Sequence, residues 1–176
     1  MRKRLPDFQS ILQVYAVIAV MFAGWTLTAF LWKLSAWLMV LNLWEIITLF
    51  SYAMAANFLE SLLILLLLLL VSALLPARFL LDDFVVRGTV LSIGLIGSLM
   101  AFVGSHRQFG FGGGLLLLIM PLAVLALMIF LLHRSPQYPR MRSAAMWLSD
   151  RVVVFLFILI PLFTVASVYV IFRNVG

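Results

Sequence analysis

The sequence predicts an all-α integral membrane protein, a bundle of about five transmembrane helices with an interfacial or re-entrant helix. Hydrophobic residues make up 66% of the 176 residues and charged residues 10%, whereas a soluble domain has about 25% charged residues. The apolar residues also form long stretches, most of them near the ~20 residues that a helix needs to cross a bilayer. We therefore expect a single membrane domain over residues 1–176.

The first predicted span covers residues 10–32 and follows a basic start at residues 2–4. Its apolar run is longer than the roughly 7–15 residues of a signal-peptide core, so we expect a retained signal anchor. One face of this span consists of small residues at helical spacing, which allows another helix to approach closely. These residues are Ala16, Ala19, Ala23 and Thr26.

The next region, residues 33–75, is almost continuously apolar. A single helix of that length would measure about 64 Å, about twice the hydrocarbon core of a bilayer. Segment 34–52 contains aromatic and polar residues of the kind found at the headgroup level, namely Trp37, Asn42, Trp44, Glu45 and Tyr52. We predict an interfacial or re-entrant helix there, with a sixth crossing as the alternative. The second span then follows at residues 53–75.

Three further spans are predicted at residues 88–105, 113–132 and 152–172. The third span has a face of small residues at intervals of three or four, a pattern that favours close helix packing. This predicted helix-packing face comprises Gly94, Gly97, Ser98, Ala101 and Gly104. Its partner is either another helix of this chain or another subunit, and the sequence does not distinguish between them.

A short surface helix is predicted over residues 143–150, between a polar, proline-containing loop and the last span. Met146, Trp147 and Leu148 lie together in this segment. Side chains of this kind are expected to enter the interfacial region of a bilayer while the polar face of the helix stays in water.

The basic residues predict the orientation. With five spans and the N-terminus inside, the inner segments hold nine Lys and Arg residues and the outer segments three, and such an excess is typical of the cytoplasmic side. A sixth crossing at 34–52 would change this to five against seven, so five spans are favoured. We expect a multi-pass plasma-membrane protein with a cytoplasmic N-terminus and an external C-terminus. The preference for Arg over Lys and the short loops favour a bacterial membrane.

Glu60 is the strongest candidate for a functional residue, because a carboxylate within an apolar span is costly. Asn57 and Ser61 lie three residues before it and one after it, so the three form a candidate intramembrane polar site. Three interpretations stay open. Glu60 reaches the outer headgroups, or it pairs with a basic residue such as Lys33 or Arg107, or it is a working proton or cation site.

No catalytic, cofactor-binding or metal site is predicted. The absence of Cys excludes disulfides and thiolate chemistry, and neither a metalloprotease motif nor a nucleophile elbow is present. His106 and His133 fall on opposite sides of the predicted membrane, and Asp82 and Asp83 balance nearby arginines. The net charge of +6 is explained by membrane topology rather than by nucleic-acid binding, since no basic run with interleaved aromatic residues occurs.

The sequence therefore predicts a non-enzymatic membrane protein, a subunit or scaffold that packs against other membrane proteins. Its expected partners are the lipid bilayer and either other membrane subunits or copies of itself, with no cofactor and no nucleic acid. The alternative is a small homo-oligomeric channel or transporter with Glu60 near the pathway. Because one carboxylate is little for a pore within one chain, this alternative needs a symmetric ring of Glu60.

Overall fold

The computed structural model describes residues 6–74, 83–109 and 139–175, and these ranges are almost entirely helical. The helices are α1 (Phe8–Trp37), α2 (Leu43–Leu74), α3 (Phe84–Phe109), α4 (Pro139–Val152) and α5 (Leu156–Val175), with a 3₁₀ turn at Val153–Phe155 between the last two. No strand occurs within these ranges. The predicted all-α class is confirmed for the described part of the chain.

Four stretches in the described ranges are long and apolar enough to cross a membrane. They are Phe8–Trp37, Leu43–Leu74, Phe84–Ala101 and Arg142–Val175. Four of the five predicted spans overlap with them. The remaining predicted span, residues 113–132, lies outside the described residues.

The prediction of a separate helix over residues 34–52 is wrong, because the structure divides this segment between two long helices. α1 ends at Trp37 and α2 begins at Leu43. Asn42 and Glu45 form a reciprocal cap: the Glu45 amide donates to Asn42 Oδ1 at 2.9 Å, and the Asn42 amide donates to Glu45 Oε2 at 2.8 Å. This capping box satisfies two backbone donors at the start of α2. Asn42 and Glu45 therefore cap the start of α2 at the turn between the two antiparallel helices.

α1 and α2 run antiparallel from this turn. Phe30 of α1 packs edge-on against Phe50, with 5.0 Å between ring centroids. Further from the turn, Thr26 and Tyr15 form hydrogen bonds with Asn57 and Ser61 of α2. Residues further along α2 therefore contact residues nearer the start of α1, as expected for antiparallel helices.

α5 and α3 both run parallel to α1. α5 is antiparallel to α2, since Tyr169 contacts Thr48 whereas Phe163 packs against Phe58. In α3, Phe84 and Gly88 lie near Ser10 and Val14 of α1, respectively. We call the end where α1, α3 and α5 begin the N-terminal end of the bundle, and the end at the 38–42 turn the opposite end.

α1 is the central helix of the described bundle and contacts α2, α3, α4 and α5. Residues 14–19 are buried without interruption, which requires neighbours on every side of the helix. Three of the four small residues singled out in the first span are in the core: Ala16, Ala19 and Ala23 pack in one cluster with Phe163 and Ala166 of α5. Most of the small face of the first span therefore lies in the core of the described bundle.

α4 is an amphipathic helix attached to the N-terminal end of the bundle. Arg142 forms a 2.8 Å ion pair with Asp83 at the start of α3, and Gln13 of α1 donates to Asp150 at 2.6 Å. Met146 and Trp147 are exposed. The predicted surface helix at 143–150 is thus present, within a longer helix that begins at Pro139.

α1 approaches α3 closely at Gly88, a glycine that is not part of the predicted packing face. A Cβ at Gly88 would lie 3.0 Å and 3.2 Å from the two methyl carbons of Val14. At Gly97, by contrast, nothing apart from the local backbone of α3 lies within 4 Å of a Cβ. α1 therefore packs at Gly88, and the space beside Gly97 is open in the described bundle.

We expect Gly88→Leu to lower the stability of the isolated chain by about 1–3 kcal/mol, because the new side chain overpacks the contact with the stiff Val14. Gly97→Leu is the matched control and should leave stability unchanged or slightly raised, since leucine favours helix over glycine. Thermal melts of the two variants in detergent measure the difference. Equal melting temperatures would contradict the assignment of the α1–α3 contact.

Candidate functional site

The inward face of α2 carries a column of small polar residues. Five of them are buried, namely Thr48, Ser51, Asn57, Ser61 and Ser72. Their four hydroxyl groups donate to backbone carbonyls one turn earlier in the same helix, at 2.7–2.9 Å. Such bonds satisfy a hydroxyl without help from a second helix. This face therefore needs no water to pair its hydroxyl donors.

Two hydrogen bonds join this face to α1. Thr26 donates to Asn57 Oδ1 at 2.9 Å, and Asn57 is 3% exposed. The hydroxyl oxygens of Tyr15 and Ser61 lie 3.4 Å apart. Because the single Ser61 hydrogen is directed to a backbone carbonyl, Tyr15 is the donor in this second bond. Asn57 and Ser61 thus belong to the contact between α1 and α2.

Glu60 is separated from its two predicted neighbours. Asn57 and Ser61 lie four residues apart and so share one side of the helix, whereas Glu60 is rotated by about 100° from Ser61. Its side chain is exposed. Within residues 6–74, 83–109 and 139–175, no cation lies within 4.0 Å of its carboxylate, since the ion pair there joins Arg142 and Asp83. The structure therefore divides the candidate polar site into a buried pair and an exposed carboxylate.

Apart from Tyr52, the surface around Glu60 is apolar. The neighbours above and below it on the same side of α2 are exposed, and we call this set the Glu60 face: Tyr52, Ala56, Glu60, Leu63 and Leu67. Leu63 is 65% exposed and Leu67 51%. Glu60 lies 17 residues after Leu43 and 14 before Leu74, which is about 26 Å and 21 Å from the two ends of the helix. The carboxylate is thus near the middle of an apolar surface.

The predicted packing face of α3 does not form one continuous contact in the described bundle. Gly94 and Ser98 are buried, and Ala101 is exposed. Gly97 borders open space, while the surroundings of Gly104 lie outside what the structure describes. The part of this face near Gly97 and Ala101 is therefore available to a helix from elsewhere.

A polar cluster at the opposite end was missed by sequence reasoning. Arg173 donates to the hydroxyl groups of Thr48 and Tyr169, and Tyr52 donates to Asn174 Oδ1 at 3.0 Å. These bonds attach the end of α5 to the beginning of α2. Tyr169 and Arg173 are spaced four residues apart, which places them on one side of a helix, but nothing in the sequence indicates their partners on α2.

The remaining predicted polar residues have structural partners or lie outside the description. Glu45 belongs to the capping box, and Asp83 pairs with Arg142 beside an open cleft of about 300 Å³. Asp82, His133 and the side chain of His106 lie outside the described part. Among the described residues, no three His, Asp or Glu side chains come together as metal ligands could.

No protein-family model matches the chain, and no match is found among curated proteins or solved structures. The inward face of α2 is paired within the chain, and its outward face presents one carboxylate that has no hydrogen bond or ion pair with a described residue.

We expect Asn57→Ala to destabilise the isolated chain by about 1 kcal/mol, because it removes a hydrogen bond and leaves the Thr26 hydroxyl without its acceptor. Glu60→Gln on the same helix should leave the detergent melting temperature unchanged, since the carboxylate forms no hydrogen bond or ion pair with a described residue. Combining Asn57→Ala with Thr26→Ala should cost less than the sum of the two single changes. Additive effects would show that these side chains do not interact.

Proposed function

We propose that this chain is a multi-pass membrane protein whose helices span a bilayer. The distribution of side chains supports this proposal. Small polar residues are buried in α2, while large apolar residues such as Leu63, Phe157 and Phe172 are exposed. Large contiguous apolar surfaces are rare on soluble monomers, and in hydrocarbon they are the expected exterior. Helices are also the structure in which a single segment satisfies its own backbone hydrogen bonds there.

We further propose five crossings, with the N-terminus in the cytoplasm of a bacterial cell and the C-terminus outside. Within the described ranges, four arginines lie toward the N-terminal end of the bundle, namely Arg87, Arg140, Arg142 and Arg151, and three cations lie toward the opposite end, namely Lys33, Arg107 and Arg173. The excess of positive charge favours the N-terminal end as the cytoplasmic side. α3 and α5 run parallel, which supports a returning crossing between them at the predicted 113–132 span.

Reporter fusions at the two termini test the orientation. A reporter active only in the cytoplasm should function at the N-terminus and fail after residue 176, and a reporter active only outside should behave in the opposite way. Both termini on one side of the membrane would contradict five crossings.

We propose that the protein is a non-enzymatic subunit that packs against another membrane protein through the Glu60 face. The observation that carries this proposal is the unpaired carboxylate at mid-helix. An acidic side chain in a membrane span normally faces a partner or a cavity, and the described part of this chain supplies neither to Glu60. The open space beside Gly97 offers a second surface for close helix approach.

The position of Glu60 weighs against solvation by the outer headgroups. Because α2 begins at Leu43 rather than near residue 53, Glu60 lies within about 3 Å of the midpoint of the helix. If α2 is centred in a hydrocarbon core of ~30 Å, both headgroup regions are more than about 10 Å away. A pairing role is better supported than a role at the membrane surface.

The alternative of a homo-oligomeric channel has less support from this geometry. A conduction pathway needs polar groups or a wetted surface along its length. On the Glu60 face, Ala56 lies on one side of the carboxylate and Leu63 and Leu67 lie on the other, with Tyr52 nearer the opposite end of the bundle. One carboxylate within an apolar surface is better suited to a specific helix contact than to a continuous pathway.

We expect Glu60→Gln to weaken the complex formed in the native membrane by about 1–2 kcal/mol, which is roughly tenfold in affinity. The measurement is the native mass of the tagged full-length chain purified in mild detergent, with quantitation of the co-purified membrane protein. Glu45→Gln is the matched control, because Gln also serves at this position of a capping box. A monomer, or a symmetric oligomer of this chain alone that conducts ions in liposomes, would contradict the subunit function.

A further inference from the structure

We propose that the partner helix presents a lysine or arginine to Glu60 at mid-membrane depth, and that this partner is a different protein rather than a second copy of this chain. The inference rests on the proposed subunit function and specifies the chemistry of the partner. It follows from three features: the isolation of Glu60, the apolar Glu60 face and the positions of the basic residues in this chain.

The residues beside Glu60 on its own helix do not solvate its charge. Asn57 is held by Thr26 of α1, and the Ser61 hydroxyl is directed to the Phe58 carbonyl. Both side chains are buried on the inward face. An ionised carboxylate that faces hydrocarbon without a partner has a large desolvation cost, and an opposite charge in direct contact offsets it.

This chain has no basic residue that reaches the required depth. Its sequence contains no Lys or Arg at residues 5–32, 34–77, 88–106, 108–133 or 152–172. The cations in described helices each lie within four residues of an end of their helix, and they are Lys33 of α1, Arg87 and Arg107 of α3, Arg140, Arg142 and Arg151 of α4, and Arg173 of α5. All are near helix ends, whereas Glu60 is about 21 Å or more from either end of α2. A second copy therefore cannot offer a cation opposite Glu60.

The Glu60 face also specifies the rest of the partner surface. Because Ala56 lies on one side of the carboxylate and Leu63 and Leu67 lie on the other, the partner helix must be apolar with a single charge at its centre. Moving that charge by two turns along the partner helix would place it about 11 Å from Glu60. The contact thus selects both the sign of the partner's charge and its depth.

Designed helical peptides test the inference in vesicles of phosphatidylcholine at neutral pH. Three peptides of about 20 apolar residues differ at one residue: lysine at the centre, leucine at the centre, or lysine near one end. The chain has no Cys, so Ser143→Cys on the exposed side of α4 can carry a single fluorophore for energy transfer. The full-length protein is used throughout.

The centre-lysine peptide should bind the protein roughly tenfold more tightly than either other peptide. Glu60→Gln should remove this preference, whereas Glu45→Gln should retain it. In Glu60→Lys the preference should transfer to a fourth peptide with glutamate at its centre. This charge exchange separates a direct pair from a change in folding.

Equal binding of the three peptides, or a lysine preference that persists in Glu60→Gln, overturns the inference. Energy transfer between labelled copies without peptide, lost in Glu60→Gln, also overturns it and identifies a second copy as the occupant. Glu60-dependent co-purification from native membranes combined with no lysine preference leaves the subunit function intact and removes only the cationic partner. If neither Glu60-dependent co-purification nor a lysine preference is observed, the proposed subunit function is contradicted as well.

Discussion

The described bundle depends on the complete enclosure of one segment of α1. Residues 14–19 are buried on every side, and α2, α3, α4 and α5 all contact this helix. Alanines at positions 16, 19 and 23 reduce its volume where α5 approaches. On the α3 side, Gly88 accommodates Val14. Close packing of small residues is the main source of specificity between helices when both their exteriors are apolar.

α2 combines two opposite solutions for polar groups in an apolar environment. Its inward hydroxyls donate to carbonyls of their own helix, and Asn57 adds one bond to α1. These bonds stabilise the contact between α1 and α2. Glu60 on the outward side has no such bond to a described residue. In the proposed membrane setting, a carboxylate at this position is best explained by a contact outside the chain.

The sequence correctly predicts those features that depend on local periodicity. The apolar stretches, the small face of the first span and the amphipathic helix at 143–150 all follow from the 3.6-residue repeat. Two of the features that the sequence did not predict have a different cause. Segment 34–52 has the composition of an interface, but its Asn42 and Glu45 are spaced as a capping box, which predicts a helix start at that point. The glycine of closest approach is Gly88, which lies outside the regular run of small residues in α3.

By itself, the sequence determined the helical class, the approximate location of the long apolar helices and the candidacy of Glu60, because hydrophobicity and spacing act within a segment. Only the tertiary structure decided which residues face each other. Asn57 and Ser61 turn toward α1 while Glu60 turns away, and Arg173 meets Thr48 across the length of the chain. These pairings depend on the rotation of each helix about its axis. That rotation is determined by packing against neighbours distant in sequence, and not by the residues of the helix alone.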